Sequence, residues 1–463
     1  MFAKLAAALL VTLLLPLPSL AAEIIVVNGD PPGVGFNDPT PATPIGGNPG
    51  TTVGEQALYV FQTAAQTWGH RLVSKQPIVV ISFFTPLNCT ATGAVLGAAG
   101  AYWYFANIPP ATGGQALAPD TWYPAALAEK LTRQDIVADP NEPFEIFSVF
   151  NSRLGQPGCL TGNGWYYGVD NNEPSNRIDL LAVVLHEFGH GLGFSVGPTN
   201  SSTGMRAQGF ASVWESQMLD TTTGKRWIDM TDAERAASAR NNQNLVWAGR
   251  KTSNVVPSTL AFGTQVNVLD PSSLGSAEAV PASFGAPLGP RGVRATLVAP
   301  DDGGGTPGDG CDPFPQPGTI AGNIVLMDRG TCAFTIKVKN AQDAGAVAAV
   351  VANNTAGPLG MGGVDPTIVI PAVGITQAFG AALRAAAPAL VHVGRNVTVR
   401  AGTVFNFPRL YAPSTFAQGS SVSHWDTSAT PNMLMEPSIN PDLTSRVKNP
   451  DDLTWSLLRD IGW

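Results

Sequence analysis

The chain has 463 residues, a net charge of −8 and only 13% charged residues. That length allows two or three domains with separate cores, and the acidic balance disfavours nucleic acid or an anionic membrane as partner. Fifty Gly and 39 Pro beside 44% hydrophobic residues describe a loop-rich, folded chain rather than a disordered one.

Residues 1–21 read as a secretory signal, with Lys4 as the positive start, 5–15 as the apolar run and Ser19-Leu20-Ala21 as a small-x-small cleavage site. The run is short and stops at Pro16 and Pro18, which argues against an anchor, and no later segment is apolar enough to span a bilayer. In an exported chain four Cys form an even set with three possible pairings. Cys89–Cys159 and Cys311–Cys332 are favoured, because each pair then stays inside one proposed domain. Residues 23–53, rich in Gly, Pro, Asn and Asp, read as an irregular lead. Apolar spacing predicts a helix over 55–72, and 77–84 reads as a buried strand. Residues 101–106 (AYWYFA) are a candidate edge strand for pairing with an extended peptide. Asp170-Asn171-Asn172-Glu173 offers carboxylates for Ca²⁺, but a polar turn is the favoured reading.

The informative stretch is His186-Glu187-Phe188-Gly189-His190. Histidines at i and i+4 share one face of a helix, close enough for both imidazoles to reach one metal ion, and the chain holds only five His. Glu187 follows the first of them, where a carboxylate can hold and deprotonate a water beside the metal. Ser175 or Asn176 is the expected N-cap, and Ile178, Leu181, Leu185 and Phe188 form the expected buried face. Gly191-Leu192-Gly193 should end the helix, with Gly193 supplying a left-handed conformation. A further short helix is expected over 232–240.

From about residue 260 the texture changes. Strands are expected over 323–328, 346–351 and 368–373, and helices over 334–344 and 376–386. The Gly/Asp/Pro loop over 300–317 reads as too polar to pack. Through "NIVLMDRGTCAFTIKVKNAQDAGAVAAVVANN" and the later "MGG…IVIPAVGI", residues 260–402 resemble the protease-associated domain. The resemblance implies a non-catalytic unit acting in substrate access, binding or stability. Asp328, Arg329 and His392 are accordingly read as structural.

Zinc catalysis requires a third protein ligand. "HEFGHGLGF" resembles the metzincin signature, which places the third His at position 196, but that residue is Val196. Downstream, His424 lies in "GSSVSHWDTSATPNMLMEP", and Met435 follows eleven residues later, resembling the Met-turn. Leishmanolysin-like members similarly separate the third His by an insertion, which here would be the whole protease-associated domain. The entropy of closing such a loop grows only logarithmically with its length. Glu215, in "SVWESQMLD", is the competing ligand in a thermolysin-like arrangement. Asp426 either orients a ligand or caps a turn.

The resulting expectation is an α+β, zincin-like catalytic domain, 22–259 and 403–463, interrupted by a small α/β domain over 260–402. It implies a secreted zinc endopeptidase with His186, His190 and His424 as ligands, Glu187 as general base and polypeptides as substrates. The alternative is a secreted peptide-binding protein whose protease-like fold is inactive.

Overall fold

The computed structural model describes residues 21–463 except 138, 356, 358, 440–442 and 444. The expected signal therefore lies, apart from Ala21, outside the described residues. The chain builds a mixed α/β structure with two separate sets of apolar cores.

The first core surrounds a four-stranded sheet of β1 (Ile24–Asn28), β2 (Ile78–Thr85), β3 (Gly97–Ala101) and β4 (Ile146–Asn151), in the order β1-β2-β4-β3. β1, β2 and β4 are parallel, whereas β3 runs antiparallel to β4 with Ala99 opposite Ser148. The 23–53 segment is thus not wholly irregular. Ile24-Ile25-Val26-Val27 supplies β-branched residues that pair with β2, a stronger determinant than the surrounding Gly and Pro. β2 buries alternate residues, Ile78, Val80, Ser82 and Phe84, as a strand covered more fully on one face does.

Helix α1 (Val53–Gly69) begins at a capping box in which Thr52 and Glu55 satisfy each other's backbone N–H groups. It buries Val60, Phe61, Ala64 and Trp68. Phe61 meets Phe150 of β4 edge-to-face at 4.7 Å, and the Trp68 indole N–H donates to the Leu185 carbonyl at 3.1 Å. Leu185 belongs to α2 (Leu180–Gly191), so the two helices are fastened together above the sheet. The sheet's edges are β1 and β3, and β3 meets the anticipated 101–106 segment only at Ala101. Residues 104–105 pair instead with 123–124 in a small separate sheet.

The second unit is a closed seven-stranded barrel. Its strands are β5 (Phe262–Asp270), β6 (Ser276–Pro281), β7 (Val293–Val298), β8 (Ile324–Asp328), β9 (Ala348–Ala352), β10 (Ala372–Ile375) and β11 (Ala389–Arg400), in the order β5-β6-β10-β9-β8-β7-β11. Helices α3 (Phe334–Asp343) and α4 (Gln377–Ala386) pack outside it, with Thr376 capping α4. Val266, Leu326, Val350 and Val391 fill one core and Val325, Val338 and Val351 another. The strand expected over 368–373 begins later, at Ala372; Ile368 is buried but precedes it, just after a turn at 366–367.

The 300–317 loop has no regular strand yet is not a loose surface segment. Buried Asp302 accepts from Gly308 N–H and Asp312 N–H, and the buried Lys337 ammonium donates to the Asp309 carbonyl. Local hydrogen bonds make the polar residues packable. Asp328 pairs with Arg384, Arg329 donates to Asn353, and the His392 ring meets the Arg291 carbonyl. Cys89 is joined to Cys159 and Cys311 to Cys332.

Entry to and exit from the barrel are adjacent, since Ala401 N–H donates to the Ala261 carbonyl at 3.0 Å. After β11 the chain returns to the first core, where Leu410, Trp425, Met435 and Leu458 are buried. Helix α5 (Thr454–Ile461) closes the chain. No helix of the described residues is long and apolar enough to cross a membrane.

Candidate metal centre

Helix α2 starts one turn later than the sequence suggests. Its N-cap is Asp179, whose carboxylate accepts from Leu181 N–H at 2.8 Å, and not Ser175 or Asn176. Ile178 consequently sits in a short strand, while Leu181, Leu185 and Phe188 are buried. Gly193 has φ +115°, and the chain turns away there.

His186 and His190 project from the last turns of α2, and His424 reaches them from the returning C-terminal segment. The Nε2 atoms lie 3.1 Å apart for His186–His190, 3.2 Å for His190–His424 and 3.3 Å for His186–His424. Each Nδ1 faces a backbone carbonyl: Leu434 at 2.7 Å for His186, Phe194 at 2.7 Å for His190 and Ser420 at 2.8 Å for His424. A carbonyl only accepts, so each ring must place a proton on Nδ1 to make that bond. Three Nε2 lone pairs are then left pointing at one another. That donor set is repulsive alone and fits a cation that accepts three imidazole nitrogens. Burial drives the ring pKa values down, to about 4 for His186 and about 3 for His424, and well below the ordinary value for His190. The rings therefore stay neutral, as ligands must be. Among the described residues this is the group of three His, Cys, Asp or Glu side chains whose donor atoms converge closely enough for one ion.

Glu187 is buried beside the triad. Burial raises its carboxyl pKa to about 8, opposed by a hydrogen bond from the Ala99 backbone. A Cβ at Gly97 would come within 2.9 Å of Glu187 Oε1, so the strand needs glycine there to let the carboxylate in. Gly97, Ala98 and Ala99 line the same cavity of about 1050 Å³ as Glu187 and the three histidines.

Met435 lies fully buried directly under α2. A Cβ on Gly189 would sit 2.8 Å from Met435 Sδ, which explains a glycine between the two helical histidines. The turn is tied on both sides: Trp425 N–H donates to the Met435 carbonyl at 2.8 Å, and Leu434 N–H donates to Asp452 Oδ2 at 2.7 Å. Because the Leu434 carbonyl also holds His186, one residue links Asp452 to the site. Asp452, Leu434, Phe194 and Ser420 were not anticipated. Three act through backbone carbonyls, which leave no residue-type signal, and Asp452 looks like an ordinary turn residue.

Val196 occupies the position where the metzincin pattern has its third histidine. Its backbone N–H donates to Ser423 Oγ at 3.1 Å, next to His424. Glu215 is elsewhere: its buried carboxylate accepts from Thr199, Ser212 N–H and Arg206, the last at 2.7–2.8 Å, so it is fully committed to those partners. Asp426 accepts from Ser428 N–H and hydroxyl and caps a turn. Asp170 accepts from the Tyr166 hydroxyl and Asn171 from Ser445 N–H, the bonding of a polar turn rather than a Ca²⁺ cage.

Similarity to known proteins is confined to short segments. The chain is 42% identical over 77 residues to the E3 ubiquitin-protein ligase ZNRF4 of Homo sapiens, covering 16% of this chain and 17% of that protein. It is 42% identical over 71 residues to leucine aminopeptidase 2 of Trichophyton equinum, covering 15% and 14%. A probable lipoprotein aminopeptidase LpqL of Mycobacterium tuberculosis is 37% identical over 113 residues, covering 23% and 21%. The chain thus spans less than a quarter of each of these relatives. A solved zinc aminopeptidase from Bacillus subtilis overlaps 32% of this chain and 38% of its own at 22% identity, with a TM-score of 0.23. Residues 293–383 match the PA domain family and form that domain, and all three clustered histidines lie outside it.

Proposed function

We propose that this chain is a secreted, zinc-dependent endopeptidase of the metzincin type, with a zincin-like catalytic domain split by the barrel. The observation that carries the reading is the convergence of three imidazole Nε2 atoms within 3.3 Å, each with its Nδ1 held by a carbonyl, beside a buried glutamate. His186, His190 and His424 would hold the ion, and Met435 supports the helix that carries two of them. Zinc so held acidifies water and polarises a carbonyl. Glu187, which lines the same cavity as the three histidines, would take a proton from the attacking water and return it to the leaving amine.

The cleft favours internal segments of a polypeptide over its carboxyl end. Besides the histidines, the ionisable side chains among the described lining residues are Glu187 and Glu436, and Glu436 accepts from Met433 N–H. A terminal carboxylate would need a cationic partner, and no Lys or Arg is among those lining residues. β3, at the sheet edge, offers backbone to an extended peptide. Two disulfides and no free cysteine suit an oxidising compartment, which supports secretion.

The test is zinc content with cleavage of an unfolded protein substrate, for wild type and Glu187→Gln. One zinc per chain, with cleavage lost in the variant and zinc kept, supports the enzyme. Zinc without cleavage of any substrate would leave a peptide-binding protein.

A further inference from the structure

Resting on the metal-site reading above, we propose that Glu278, on barrel strand β6, is a positioning residue for His424. Glu278 takes both ends of the Arg409 guanidinium, with Nη1–Oε1 and Nη2–Oε2 distances of 2.8 Å each. Arg409 lies outside the barrel, and its side chain is 8% exposed. A bidentate pair of this kind fixes orientation as well as distance.

Arg409 belongs to the segment that clamps the third histidine. Tyr411 N–H donates to the His424 carbonyl at 2.8 Å, and Asp426 N–H donates to the Arg409 carbonyl at 3.0 Å. Residues 409–411 and 424–426 therefore run side by side, with Leu410 bridged to Trp425. The side chains repeat the connection: Arg409 Nη1 reaches Ser428 Oγ at 3.4 Å, and the Ser428 hydroxyl donates to Asp426 Oδ1. A continuous line of polar contacts thus leads from the barrel, through Arg409, to His424 and the turn that follows it.

Removing the Glu278 charge leaves a buried guanidinium uncompensated. The other carboxylate that acts on the Arg409 charge is Asp426, the residue that shapes the turn after His424. The strain is then transmitted to the ligand, which tolerates little displacement. The barrel is in this sense part of the site's frame, although it contributes no ligand.

The experiment measures zinc affinity of the full chain by chelator competition, and the visible spectrum of the Co²⁺-substituted protein, for wild type, Glu278→Asp and Glu278→Gln. Glu278→Gln keeps the shape of the side chain and removes only its charge. It is expected to weaken zinc at least about ten-fold, as loss of outer support for a ligand does, and to shift the cobalt bands; Glu278→Asp should restore most of the affinity. Unchanged affinity and spectrum in Glu278→Gln, or equal loss in Glu278→Asp, overturns the role of Glu278. Absence of zinc from wild type overturns the metal-site reading itself, and the Glu278 role with it.

Discussion

The two halves of the histidine cluster are built by different means. His186 and His190 ride on one helix, where four-residue spacing and a buried face make their meeting a consequence of local geometry. His424 sits in an irregular segment and reaches the same point only because residues 409–411 and 433–436 hold its loop from two sides. A helix enforces its ligands cheaply, whereas a loop needs a network, and disturbing the network should damage the loop-borne half first.

The largest expected effect tests what both halves share. Glu187→Gln should lower peptide cleavage about a thousand-fold, within the usual range for a general base, while zinc content stays at the wild-type value. Zinc loss in that variant would instead assign Glu187 to the metal. Next, Met435→Ala empties a fully buried site under α2 and should destabilise the protein by about 2–5 kcal/mol in urea melts; a cost below about 1 kcal/mol would mean that the turn does not support the helix. Asp452→Ala removes the carboxylate that holds Leu434 N–H and should weaken zinc about 10–100-fold, chiefly through His186. If zinc affinity is unaffected, the Leu434 peptide is held without Asp452.

The smallest effects are in pH dependence of the metal-free protein. The three rings have folded pKa values below the unfolded 6.5, so their contribution is complete above about pH 6.5 and is lost as pH falls toward 4. Glu187 has the opposite sign. Its folded pKa is raised to about 8, so its contribution is present below about 4.5 and lost as pH rises through 8. Glu187→Gln should therefore stabilise the metal-free chain near pH 7.5 and leave it unchanged near pH 4.5, read by urea midpoints. A pH-independent difference would contradict this assignment.

The same contrast explains what could be read from the sequence. The helix, its two histidines and its glycine stop are written in short-range spacing, and the repeated hydrophobic runs of the PA domain were likewise visible. The start at Asp179 was not, because Ser175 and Asn176 are equally good caps in isolation and only packing decides among them. β1 was hidden by the Gly- and Pro-rich residues around it, and β3 at Gly97–Ala101 is built of small residues that carry no strand pattern, with Gly97 leaving room for Glu187. Closure of seven strands into a barrel depends on pairings as distant as Phe262 with Arg400, which no local pattern encodes.

The most direct test is X-ray absorption of zinc-loaded wild type and His424→Ala at equal protein concentration. Three histidine nitrogens at about 2.0–2.1 Å in wild type, falling to two with loss of bound zinc in the variant, is the result predicted here. An unchanged first shell in His424→Ala would contradict a site assembled from both halves of the chain.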